Sequence, residues 1–115
     1  MVATPIGNLG DITLRALDVL ASADAILCED TRVTRKLLSR YNISTPSLVY
    51  NDHNAQRMLP RLMKRLNEGN SLALVTDAGT PLISDPGYRL VEATIAADIP
   101  LHMLPGASAA LAGLV

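Results

Sequence analysis

The sequence predicts an α/β fold: a five-stranded, mainly parallel sheet with helices on both faces. Three observations lead there. Four short apolar runs, each about four residues long and nearly continuous in apolarity, have the pattern of strands covered on both sides. Amphipathic helical patterns fill the gaps between them, so strand and helix alternate. After each run comes a polar segment rich in Gly, Pro, Asp or Asn, which marks a strand exit.

Taken in order, Met1-Val2-Ala3 reads as the tail of a first strand, and Thr13 to Ala21 as a helix. Ala25–Cys28 is the next strand. Val33, Leu37, Leu38 and Tyr41 then form an apolar helical stripe, with Arg32, Arg35, Lys36 and Arg40 on the opposite side. Ser47–Tyr50 is a strand. Ala55, Met58, Leu59, Leu62, Met63 and Leu66 recur at i, i+3, i+4, i+7, i+8 and i+11, a clean amphipathic face in which Pro60 predicts a kink or a delayed start. Leu72–Val75 is a strand. Asp85-Pro86 pairs an N-cap acid with proline at the first helical position, and the helix it opens is expected to bury Leu90, Val91 and Ile95. Leu101–Leu104 is the last strand. The apolar run from Ala107 stops at Val115 in mid-pattern, and with the missing strand start at Met1 this predicts a piece of a longer protein.

At 115 residues the chain has room for one domain. Its 49% hydrophobic content excludes a disordered chain. No apolar run approaches the roughly 18 residues of a membrane span, and no basic-then-apolar start marks a signal peptide. The single cysteine, Cys28, allows no intrachain disulfide, and a cytoplasmic protein is the simplest expectation. Charge is unevenly spread. Residues 1–30 hold one Arg and five acids, a net of −4, and residues 66–115 repeat that balance. Residues 31–65 hold eight basic residues against Asp52 alone, a net of +7, which favours a polyanionic partner.

Ligands of open parallel sheets bind at the carboxyl ends of the strands. The residues collected there are Thr4 to Asp11, Glu29 to Arg32, Asn51 to Asn54, Thr76 to Gly87 and Pro105 to Ala109. Five such exits on one edge predict a ligand-binding edge, the plainer alternative being well-built turns. Gly7-x-x-Gly10 is not a dinucleotide fingerprint, and the phosphate-binding P-loop is missing from the sequence. Cys28, His53 and His102 lack ligand spacing, so no metal site is expected. No G-x-S-x-G elbow offers hydrolase chemistry.

The segments VATPIGNLGDIT, EDTR, DHN, TDAGTPLISDPG and PGASAA, in this order and spacing, resemble the small-subunit ribosomal RNA 2′-O-ribose cytidine methyltransferases. That family sits in the tetrapyrrole methylase superfamily. The resemblance covers essentially the whole chain and implies the N-terminal α/β domain of a two-domain, S-adenosylmethionine-dependent enzyme, with the C-terminal domain absent here. It implies cofactor contacts at Pro5, at Asp77, Ala78, Gly79, Thr80, Pro81 and Ile83, and at Ser108 and Ala109. It also implies a homodimer.

Methyl transfer to a ribose hydroxyl is a displacement governed by positioning and water exclusion, which a general base can assist. Glu29, Asp30 and His53 are the candidate bases. Asp30 could instead cap the following helix, Glu29 could pair with Arg32, and His53 could be an exposed turn residue. Arg32, Arg35, Lys36 and Arg40 are the candidate contacts to small-subunit ribosomal RNA, weighed against a solvated helix face; Arg57, Arg61, Lys64 and Arg65 form a second stripe. The expected function is therefore cytidine 2′-O-methylation. A tetrapyrrole methylase domain and a non-catalytic piece that only folds or dimerises are the alternatives.

Overall fold

The computed structural model describes residues 12–75 and 85–102. Within them the elements run α1 (Leu14–Ser22), β1 (Ala25–Cys28), α2 (Thr31–Arg40), β2 (Ser47–Val49), α3 (Ala55–Asn67), β3 (Leu72–Leu74) and α4 (Asp85–Ala96). The strands lie in the order β2-β1-β3, and β1 is parallel to both neighbours. Ile26 stands beside Ser47 and Ala73, and Leu27 beside Leu48 and Leu74. Beyond the strands proper, the Tyr50 N–H donates to the Cys28 carbonyl at 2.8 Å and the Val75 N–H to Leu27 at 2.9 Å. At the other end Asp24 clamps the start of β3. Its N–H donates to the Ser71 carbonyl at 2.8 Å, and its carboxylate accepts the Ser71 N–H at 2.7 Å.

Among the described residues the parallel sheet therefore has three strands where five were expected. The strand expected at Met1–Ala3 lies outside the described residues. Leu101 and His102, the described half of the strand expected at 101–104, are exposed and belong to neither helix nor strand. Pro100 just before them has no N–H to donate to a ladder.

Side-chain alternation along the strands divides the core in two. Ile26, Cys28, Ala73 and Val75 pack on one face with Ala16 and Leu20 of α1 and Leu37 and Leu38 of α2. Leu27, Leu74 and Tyr50 pack on the other with Ala55 and Leu62 of α3 and Leu90 of α4. Helices thus cover both faces. All four β1 residues are buried, as the continuous apolar run requires. At the edge, β2 is only half-covered, and Val49 is exposed.

Local chemistry sets the helix limits. Thr13 caps α1 rather than joining it, its hydroxyl accepting the Ala16 N–H at 3.1 Å. Helix α3 runs through Pro60, although proline offers no N–H to the Gln56 carbonyl one turn back; Gln56 is exposed, so water can satisfy that oxygen. Three helices end in one motif. The left-handed residues Asn42 (φ 55°), Gly69 (φ 92°) and Asp98 (φ 57°) follow α2, α3 and α4. Paired bonds close each end: Ile43 to Leu38 with Asn42 to Ser39, Asn70 to Arg65 with Gly69 to Leu66, and Ile99 to Thr94 with Asp98 to Ile95. Ile95, expected in the core, is 64% exposed. Thr94 takes the inward position instead, its hydroxyl satisfied by the Val91 carbonyl at 2.8 Å. Among the described residues no helix is long and apolar enough to cross a membrane.

Two substitutions separate packing from backbone strain in urea unfolding. Leu62→Ala should cost about 2–5 kcal/mol, because a fully buried side chain leaves a cavity between α3 and the sheet. Gly69→Ala should cost about 1–2 kcal/mol through its left-handed backbone alone, since an added Cβ meets nothing within 4 Å. A neutral Gly69→Ala would contradict the helix-end account.

Candidate functional site

The topology singles out one switch point. From β1 the chain turns into α2 on the first face, whereas α4, the helix that follows β3, covers the second face. Adjacent parallel strands whose connections leave to opposite faces create a switch point, and a ligand crevice lies at their carboxyl ends. Glu29 and Asp30 leave β1 at that point. Val75 leaves β3 beside them, directly before the TDAGTPLISDPG segment. The candidate cofactor residues Pro5, Asp77, Ala78, Gly79, Thr80, Pro81, Ile83, Ser108 and Ala109 lie outside the described residues. A cavity of about 530 Å³ sits instead at the opposite end of the sheet, around Ser71, Leu72 and residues 99–102. It is not at the strand exits.

The three candidate bases have different surroundings. Asp30 caps α2, accepting the Arg32 N–H at 2.8 Å. The same carboxylate accepts Nε of Arg32 at 3.1 and 3.2 Å and Nη2 at 2.8 Å. Hydrogen bonds from the Arg32 side chain and backbone lower its pKa from 3.8 to about 2. A carboxylate so held is a weak proton acceptor. It is Asp30, not Glu29, that pairs with Arg32. Glu29, one residue closer to β1, is exposed at the switch point.

His53 stands at the exit of β2, with β1 between it and β3, about two strand spacings or ~10 Å across the sheet edge. Two asparagines build its turn. The Asn51 side chain accepts the His53 and Asn54 N–H groups at 2.9 and 3.2 Å, while the Asn54 side chain accepts the Asn51 N–H at 2.9 Å. Asn54 also donates to the Val49 carbonyl at 2.8 Å, tying the turn to β2. Both asparagines lie in the strand exit read from the sequence, but neither was among the candidate catalytic or binding residues. Their three-residue spacing before an amphipathic run was the available signal.

The candidate RNA contacts Arg32, Arg35, Lys36 and Arg40 are all exposed along α2. Arg32 is already neutralised by Asp30, and Arg40 lies over the Tyr41 ring, 5.9 Å from its centroid. Arg57, Arg61 and Lys64 are exposed on α3, which packs on the opposite face of the sheet. The two basic stripes therefore do not form one flat surface; the edge strand β2 lies between them.

The cap and ion pair predict a specific titration. The lowered pKa means that Asp30 stabilises the fold above its ordinary value of 3.8, and that this contribution is lost as pH falls through about 2. Carboxyl carbon-13 titration should find Asp30 near that lower value, and Arg32→Ala should move it back up. An unshifted Asp30 in the parent protein would show that the pair does not persist in solution.

Comparison with known proteins identifies the family. The model of the tetrapyrrole (corrin/porphyrin) methylases matches residues 1–115. Ribosomal RNA small subunit methyltransferase I of Mesorhizobium japonicum is 57% identical over 99% of the chain and 39% of its own length. The proteins of that name from Vibrio cholerae and Micromonospora olivasterospora are 56% and 49% identical, over 99% and 100% of the chain and 40% and 37% of their own lengths. The chain thus spans about two fifths of the length of these curated relatives. With a family model matched from end to end, the chain belongs to the tetrapyrrole (corrin/porphyrin) methylase family.

Proposed function

We propose that the full-length protein transfers a methyl group from S-adenosylmethionine to the 2′-hydroxyl of a cytidine in small-subunit ribosomal RNA. In this proposal residues 1–115 form its N-terminal α/β domain. The carrying observation is the 49–57% identity, across essentially the whole chain, to relatives named as small-subunit ribosomal RNA methyltransferases. The homodimer and the cytoplasmic location belong to the same proposal. The +7 block of residues 31–65 favours RNA over a tetrapyrrole ring as the methyl acceptor.

The switch point between β1 and β3 suits a cofactor with an adenosine and a charged sulfonium, because the segment around Gly79 follows β3 there. A glycine in that segment has no side chain to keep backbone groups from approaching a ligand. The cofactor supplies the methyl group as an electrophile with a neutral thioether as leaving group. The chain's own part is to hold it, exclude water and orient the ribose hydroxyl. Glu29 is the base this proposal favours, because Asp30 is committed to its cap and His53 stands one strand further away. Arg35, Lys36 and Arg40 carry the phosphate contacts, and Arg32 contributes least.

Full-length protein, incubated with methyl-labelled cofactor and small ribosomal subunits, should yield labelled 2′-O-methylcytidine after digestion to nucleosides. Label in a base, or in a porphyrin precursor offered instead, would overturn the proposal. Glu29→Gln should lower kcat by about 10²-fold or more with cofactor affinity nearly unchanged, whereas Asp30→Asn should act mainly on stability. Gly79→Val should abolish cofactor binding, read by calorimetry, while leaving the sheet folded. Equal kcat for Glu29→Gln and the parent would remove Glu29 as the base.

A further inference from the structure

A groove runs between α2 and the outer side of β2, starting at Thr31 beside the exit of β1. Thr31, Arg35 and Ser39 line it from one flank of α2 at i, i+4 and i+8. Ser44 and Ser47 face them, and the cavity measures about 280 Å³. We propose that this groove seats a backbone phosphate of the bound RNA, with the Arg35 guanidinium as its cation and the serine and threonine hydroxyls as further donors. The proposal rests on the RNA reading above and names where on α2 the backbone is held.

Three features of the groove support it. Among the described residues no acid lines it and Arg35 has no ion-pair partner, the pairs being Asp30–Arg32 and Lys64–Glu68. A guanidinium flanked by hydroxyls matches the planar, multi-donor recognition that phosphate oxygens favour. The far wall is also held in place. The Thr45 hydroxyl donates to the Leu20 carbonyl at 2.7 Å, and the Ile43 N–H closes the α2 end on Leu38 at 2.9 Å. These bonds fix the turn that carries Ser44, so little order must be gained on binding.

The phosphate chemistry fits either a free anion or a polynucleotide, and the surroundings favour the polynucleotide. Arg35, Ser39 and Ser44 are exposed, so one guanidinium facing water holds a lone phosphate weakly. A continuous backbone engages Lys36 and Arg40 on the same helix as well, and gains from releasing its counterions. Phosphate contact of this kind sets register without reading sequence.

The test measures binding of full-length protein to small-subunit ribosomal RNA across a series of salt concentrations. Arg35→Ala and Ser44→Glu should each weaken binding about tenfold, and Lys36→Ala about threefold or less. Ser22→Glu, the same charge change outside the groove, should have little effect. Arg35→Ala should also lower the salt slope by about one contact. If Arg35→Ala and Lys36→Ala weaken binding equally, and Ser44→Glu acts no more than Ser22→Glu, the groove is not the seat while RNA binding by α2 stands. If neither cation matters, the groove and the RNA contact by this part of α2 both fall, while the methylation assay above decides the RNA reading. Inorganic phosphate, followed through the Ser44 and Thr45 amides, distinguishes the source. Saturation by phosphate alone that Arg35→Ala abolishes, with RNA affinity unchanged, would assign the groove to a free anion and overturn the proposal.

Discussion

Everything described depends on the burial of β1. Its four residues are each at most 1% exposed, and its backbone is hydrogen-bonded on both sides, to β2 and to β3. Such a strand can only be covered by apolar layers above and below, because a buried side chain of this type contributes about 1.5–3 kcal/mol only where water is excluded. Alternation then sends Ile26 and Cys28 to one layer and Leu27 to the other. The two cores, the helices that cover them and the strand order all follow from this arrangement. So does the switch point, since Glu29 and Asp30 leave the described sheet at its middle rather than at an edge.

Charge is organised around that scaffold in two ways. At the head of α2, Asp30 and Arg32 neutralise each other in an exposed pair that orders the helix start but adds little stability in salt. Further along α2, and on α3, the cations have few acids to meet. Because these helices cover opposite faces, an RNA that touched both would have to pass around β2. The two sides also differ in shape: the α2 side has a groove lined by hydroxyls, while the cations of α3 project from a helix face.

Much of this fold was legible in the sequence. Ala25–Cys28 and Leu72–Val75 stood out because a strand buried on both faces has no polar positions to break its run. The 3.6-residue period of α3 survived Pro60, since its apolar face was strong enough to hold the helix through one missing hydrogen bond. The misreadings also have physical causes. Ile95 was assigned to the core by hydropathy, but a threonine bonded to its own helix backbone is an acceptable core residue, and Thr94 took the place. Asn42 and Asp98 end helices in left-handed conformations usually given to glycine, so no glycine marked those boundaries. The roles of Glu29, Asp30 and His53 were not separable from residue types alone. Their surroundings are set by the strand order, which puts β1 beside β3, and by the Arg32 pair, which occupies Asp30. The groove beside β2 left no trace in the sequence, because its lining is spread over residues 31–47 without a recognisable motif.

The central claim is that the ligand site lies at the carboxyl ends of β1 and β3, where their connections part. Amide chemical-shift mapping of the full-length protein during titration with S-adenosylmethionine tests it most directly. The largest changes should fall on Glu29 to Arg32 and on the residues that follow Val75, with Asn51 to Asn54 changing less and residues 99–102 unchanged. Changes centred instead on Ser71, Leu72 and residues 99–102, at the opposite end of the sheet, would contradict it.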